Sequence, residues 1–435
     1  MQFARRIPYW GFIALLVYMP FHVFLSQSLS LVSGGLEVWK VGKDVLLAAL
    51  VVFTICLVFM QRRSGKVFTV LLCLALLYGG LHILLWLVNP EIYRESALLS
   101  VVYNNRLPAL ALLGYGAVIL NPGKFVFSSL IKIVLLVSTT IACLGILQHF
   151  LPPDFLTHLG YSLERGAHAA FFIDNNPALP RIMSTLREPN SLGAYLVLPI
   201  AAITALLATK RNILTRPVMA GILSLHLLAI FLTHSRSAWL AGLLAVGVVL
   251  FCVHRKRAAD MAKRFWPLLL LGALSAVLIV FSLRSTSIFE TYIVHTDDPQ
   301  FNEQSSTDYH YQYIEDATRD VLSQPLGHGP GTAGPTSLHN PEGGKITENY
   351  YLQIAYEVGV AGLLVFVAIA TFVYLTLVKR KDVFGIILIA SFWGYVVANM
   401  FLHTWGNEAV ATQWWLLAGA AMGMKTLNAR GDDKP

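Results

Sequence analysis

The sequence predicts an all-α integral membrane protein with about twelve transmembrane helices and a long extracytoplasmic loop containing short helices. Two observations carry this. The 435 residues are 56% hydrophobic and only 13% charged, with a mean hydropathy of +0.62, whereas soluble domains are about 25% charged. The apolar residues also fall in repeated runs of about 20, the length that crosses a bilayer. A third observation, the placement of basic residues, tests the count.

The expected spans are 8–30, 41–60, 67–88, 98–120, 127–150, 190–209, 215–233, 237–254, 265–282, 349–378, 383–402 and 406–424. The first follows Arg5 and Arg6 but is too long for a signal peptide, is interrupted by Pro20 and His22, and meets no small-residue cleavage site. It is read as a retained helix. No soluble linker divides the chain, so residues 1–435 form one membrane domain. With the N-terminus in the cytoplasm and twelve crossings, both termini are cytoplasmic. The cytoplasmic segments then hold 20 of the 32 Lys and Arg residues and, of the acids, only Asp260, Asp382, Asp432 and Asp433. That is the positive-inside pattern, and one missed span would scramble it. The net charge of +8 therefore reports topology and gives no reason to expect nucleic acid. The four cysteines lie in apolar runs without metal-ligand spacing, so neither a disulfide nor a metal is expected. His22, His82 and His226 fall inside spans and are read as hydrogen-bonded core residues.

Two loops face outwards, 151–189 and 283–348. The longer holds a helical stretch from Tyr309 to Leu322, in which Tyr309, Tyr313, Ala317 and Val321 repeat every four residues and give one apolar face. It is expected to lie on the membrane surface or to cap a cavity.

Four short motifs sit at this outer side. Thr185-Leu186-Arg187-Glu188-Pro189-Asn190 leads into a span with helix-start chemistry at Pro189 and Asn190. Arg187 there is either a snorkelling arginine or a phosphate ligand, because a guanidinium grips phosphate oxygens bidentately. Ser235-Arg236 occupies a very short turn, where a charge close to the bilayer is costly unless paired or used. Gln324-Pro325-Leu326-Gly327-His328-Gly329 is a sharp turn whose backbone can approach a ligand; with no strand before it, it is no dinucleotide loop. Thr347-Glu348-Asn349-Tyr350-Tyr351 opens a span that continues to Gly359 and Gly362. Glu348 can simply complement the helix dipole, and the glycines permit close helix packing.

In this order and sidedness, the four motifs resemble those of the O-antigen ligase and Wzy polymerase superfamily of bacterial envelope glycosyltransferases, over about residues 180–378. The resemblance implies a GT-C-like glycosyltransferase of the bacterial inner membrane without metal or other cofactor. Its donor is a glycan on undecaprenyl pyrophosphate, and its acceptor is lipid A-core or another envelope glycan. Arg187 and Arg236 then hold the donor pyrophosphate, and Glu348 is the catalytic base. His310 and Arg319 position phosphate or sugar, while Asn190, Asn349, Tyr351 and Gly329 complete the substrate-binding set. Ligases of the family usually carry His where this chain has Glu348, which favours polymerases somewhat more; His339 is the reserve base. A single displacement inverts the anomeric carbon. The rival from another class is a lipid-linked glycan transporter, for which twelve spans is a common layout. No repeat relates the halves 1–209 and 210–424.

Overall fold

The computed structural model describes residues 2–211, 213–255, 306–341 and 343–430, with Ser282 and Thr286 between. Helices stand at eleven of the twelve expected spans; the ninth, 265–282, lies outside the described residues apart from Ser282. In chain order they are α1 (Gln2–Tyr18) and α2 (His22–Ser33), α3 (Leu36–Met60), α4 (Lys66–Val88), α5 (Arg94–Leu120) and α6 (Phe127–Gln148). Then come α7 (Pro189–Ala208), α8 (Arg216–Leu232) and α9 (Arg236–Arg255). Helix α10 (Ser306–Ser323) and the short α11 (Gly334–Ser337) precede α12 (Tyr350–Val378), α13 (Val383–Ala398) and α14 (Glu408–Arg430). Seven of these helical stretches are long and apolar enough to cross a membrane, the first being α1 and α2 read together; α8 and α13 are shorter apolar helices. Pro20 does not end the first span but tightens it into a 3-10 turn, Met19–Phe21.

The centre of the bundle is the α5–α14 pair, the most extensive helix contact among the described residues. Small residues allow it. A Cβ added at Gly114 would lie 2.2 Å from the Leu416 carbonyl oxygen, and one at Gly419 would lie 2.1 Å from that of Ala111. Both helices are buried along most of their length, while α3 and α4 expose large apolar side chains such as Leu46, Val52, Leu76 and Leu87 in the manner of a lipid-facing surface.

The charges are not confined to the loops, as the sequence had suggested. Lys43 and Asp44 of α3, Arg106 of α5, Glu408 of α14 and His22 of α2 form one buried cluster. Lys43 Nζ lies 2.8 Å from Asp44 and 3.0 Å from Glu408, and Arg106 Nη2 lies 3.2 Å from Asp44 and 3.5 Å from Glu408. His22 is a buried residue whose Nδ1 bonds to the Tyr18 hydroxyl at 3.0 Å and whose Nε2 faces Glu408 at 3.8 Å, and His82 and His226 likewise bond to backbone and neighbouring side chains.

Helix α12 breaks at Gly359, where φ is 70° and ψ 177°. A break inside a bilayer strands backbone groups that must find partners. The Gln324–Gly331 loop supplies them: His328 N donates to Tyr356 O (2.8 Å), Gly329 N to Glu357 O (2.8 Å), and Val360 N donates to Pro325 O (2.9 Å). His328 stacks on Tyr356 with centroids 4.0 Å apart. The buried Glu357 completes the seam by accepting from Gly331 N, Ser100 Oγ and Asn104 Nδ2. Two motifs far apart in sequence are therefore one structural unit.

Candidate active site

The site is assembled at one end of the helices from four segments. Asn349 caps α12: its Oδ1 accepts from Tyr351 N and Leu352 N, and its Nδ2 donates to Met400 O. The residue before the cap, Glu348, is thereby turned back into a left-handed conformation, φ 48°, which is uncommon and strained for a residue with a Cβ. Ser184 (φ 56°) and His234 (φ 49°), each immediately before one of the two arginine-bearing motifs, share this feature. Each is held by its surroundings. Gln148 Oε1 accepts from Met183 N and Ser184 N, and Ser184 Oγ donates to Ile141 O.

Glu348 is enclosed. Its carboxylate lies 3.4 Å from His310 Nδ1 of α10. Burial, with the nearby Glu188 carboxylate adding to it, raises the Glu348 carboxyl from its ordinary 4.5 to about 7. His310 is moved the other way, below its usual value, first by burial and then by the charge of Arg236. His403, from the α13–α14 connection, bonds to Thr347 Oγ1 at 3.0 Å and is pushed down to about 4 by burial and by His310. Near neutral pH the constellation is a carboxyl poised to exchange its proton, two neutral imidazoles and an arginine.

Of the residues singled out in the sequence, Glu348, His310 and Arg236 come together here. Arg187 is exposed and makes no hydrogen bond or ion pair among the described residues. Asn190 is engaged by a residue the sequence reading passed over: Arg181 donates from Nη2 to Asn190 Oδ1 and from Nε to Thr233 O, both at 2.9 Å. It stitches the start of α7 to the turn that carries Arg236. Tyr351 spends its hydroxyl on Val396 O, tying α12 to α13. Arg319 forms an exposed pair with Glu315 one turn away, and His339 an exposed pair with Glu95 of α5; neither bonds to Glu348. What Gly329 approaches is protein: a Cβ there would lie 2.1 Å from Ile92 Cδ1. Glu188 accepts from Ser191 Oγ, which in turn accepts from Asn407 Nδ2. Arg181, Glu188 and His403 were legible only as polar residues flanking spans. Among the described residues no group of three or more His, Cys, Asp or Glu side chains is placed to hold a metal; the groups suited to an anion are Arg236, Arg181 and Arg187.

Residues 221–367, from α8 to beyond the break in α12, match the O-antigen ligase family. The chain carries an O-antigen ligase domain. The matched stretch contains Arg236, His310 and Glu348, so the three residues that converge in space fall within it. No curated protein matches the chain. The apolar helices are those expected of an integral membrane protein, and the family matched is one of glycan ligases and polymerases.

Proposed function

We propose that this O-antigen ligase domain moves a glycan from undecaprenyl pyrophosphate to an acceptor, lipid A-core or another envelope glycan, at the outer face of the bacterial inner membrane. In this reading the chain crosses twelve times with both ends in the cytoplasm, in a GT-C-like arrangement. The observation that carries it is the Glu348 carboxyl, raised to about 7 within 3.4 Å of His310. A general base works best when its pKa lies near the operating pH.

Glu348 takes the proton from an acceptor hydroxyl as that oxygen bonds to the donor's anomeric carbon from the side opposite the leaving group. The bond from that carbon to the phosphate oxygen breaks, and the anomeric configuration inverts. The electron pair leaves with undecaprenyl pyrophosphate, whose growing negative charge is met by Arg236, with Arg187 at the rim. His310, neutral at this pH, orients the carboxylate. Asn349 and Tyr351 serve by fixing the start of α12.

A carboxylate at position 348 in place of the family's customary His also favours a polymerase, in which the acceptor is a second lipid-linked repeat. Deleting the gene in its host and running the surface glycans on a gel tests both. Bare acceptor, with full-length glycan stranded on undecaprenyl pyrophosphate, indicates a ligase. Acceptor bearing a single repeat and no ladder indicates a polymerase. An unchanged profile removes the proposal and leaves transport as the reading to pursue.

A further inference from the structure

Next to the site, but lined by none of the catalytic candidates, is a cavity of about 250 Å³. It lies between the end of α6 and the 151–189 loop, which folds as a 3-10 turn (Phe155–Leu159) and a two-stranded hairpin, β1 (Phe171–Phe172) against β2 (Pro180–Arg181). The loop is anchored on the far side: Arg165 donates from Nε to Gln27 Oε1 and from Nη2 to Gln27 O of α2.

The lining has a particular chemistry. Phe155, Phe171, Phe172 and four prolines provide flat apolar faces; Gln148, His149 and Arg181 provide the polar groups, and among the described residues no Asp or Glu lines it. The polar groups are fixed. Gln148 is held through its Oε1 by the 183–184 turn. Arg181 is held through Thr233 O and Asn190 Oδ1. His149 Nδ1 is buried and has no hydrogen-bond partner among the described residues. Flat rings with a few immobilised donors suit a ligand having one apolar face and a rim of hydroxyls. The volume is below the roughly 300 Å³ at which drug-sized pockets begin, room for about one sugar ring. Arg181 connects it directly to the turn bearing Arg236.

We infer that this cavity is a sugar subsite, holding one pyranose ring of a glycan substrate beside the reacting centre, with Phe171 and Phe155 against the ring face and Arg181, His149 and Gln148 on its hydroxyls. The absence of acidic lining admits sugars that carry a carboxylate as well as neutral ones. The inference rests on the glycan-transfer reading, and it assigns a place that determines which sugar is accepted.

The test uses the full chain in nanodiscs and ligand-observed saturation-transfer NMR with the methyl glycosides of glucose, galactose, rhamnose, N-acetylglucosamine and glucuronic acid. Saturation of at least one is expected. It should fall about fivefold or more when Phe171→Ala strips the ring face and when Ala170→Trp fills the cavity, and it should survive in Glu348→Gln. Filling removes no contact, so a folded Ala170→Trp protein separates loss of the subsite from loss of structure. With native donor and acceptor glycolipids, a raised KM for one substrate in Ala170→Trp identifies which of them supplies the ring. Saturation of none of the five, saturation indifferent to both variants, or an unchanged KM for both substrates overturns the inference. Retained glycan output in Glu348→Gln overturns the catalytic assignment instead, leaving the sugar binding to stand or fall separately.

Discussion

Glu348→Gln should yield a protein that is inactive and, at alkaline pH, more stable than the wild type. The carboxyl is raised from 4.5 to about 7 because burial, reinforced by Glu188, disfavours its charge. The folded protein therefore keeps this proton to a higher pH than the unfolded chain does. The stability so gained is complete below 4.5 and is lost as pH rises through about 7. At about 1.4 kcal/mol for each unit, the loss at pH 8 is about 3 kcal/mol. Glutamine keeps the shape, carries no charge and escapes that loss. Thermal unfolding of the purified proteins should thus show little difference at pH 5 and a clear advantage for the variant at pH 8. Glycan transfer should fall by about 10²–10⁴, the usual contribution of a general base. In the wild type, transfer should lose about tenfold for each unit of pH below 6 and level off above 8. A variant that transfers glycan like the wild type refutes the assignment of the base. A stability difference that does not grow with pH refutes the buried ionisation.

Three further outcomes follow from named contacts. Arg236→Ala should lower kcat/KM for transfer by about 10²-fold or more, and Arg236→Lys should recover little of it, since an ammonium lacks the planar fork for phosphate; full recovery by lysine, measured with the native donor, would show that charge alone suffices. Gly359→Ala puts a Cβ 2.6 Å from the Leu326 carbonyl, at a backbone conformation open almost only to glycine. The Gln324–Gly331 loop should be unseated, and the check is faster proteolysis of that loop in otherwise folded membranes. Glu408→Ala leaves Lys43 and Arg106 with Asp44 as the one remaining carboxylate of the cluster. It should destabilise the protein by about 3–5 kcal/mol, read as a lowered Tm, and restoring neutrality with Lys43→Met in the same chain should return part of it.

The bundle was legible because bilayer physics leaves few choices: length and hydropathy located eleven helices among the described residues, with ends that differ from the expected ones by up to six residues. Of the candidate site residues, the structure brings Glu348, His310 and Arg236 near one another. The site was not legible where a role depends on partners. Asn349 is expected by resemblance to bind substrate, and in the structure its side chain caps α12; its neighbour's left-handed backbone cannot be seen without that cap and the Met400 carbonyl that hold it. Gly327, Gly329 and Gly331 advertise close approach, but what they approach is the broken α12, Ile92 and the start of α5. Lys43 and Asp44 in the second span and Arg106 in the fourth were visible as anomalies in apolar runs, and an intramembrane charge is a functional signal by default. Counting charges by loop concealed them.

That cluster bears on how the site keeps its geometry. Glu408 is the first residue of α14, and Asn407 immediately before it donates to Ser191 Oγ, which donates to Glu188. Glu188 is the carboxylate that helps hold the proton on Glu348. The buried cations fix the end of α14, α14 fixes the Asn407–Ser191 link, and the link fixes the distance between two carboxylates whose repulsion tunes the base. Ser191→Ala tests the chain of contacts without touching the cluster or the base. Released from Ser191, Glu188 should move away from Glu348, lowering its pKa, so the pH profile of transfer should shift to lower pH at nearly unchanged stability. A profile that stays in place would mean that burial alone sets the Glu348 pKa, and that the cluster serves only to hold the helices together.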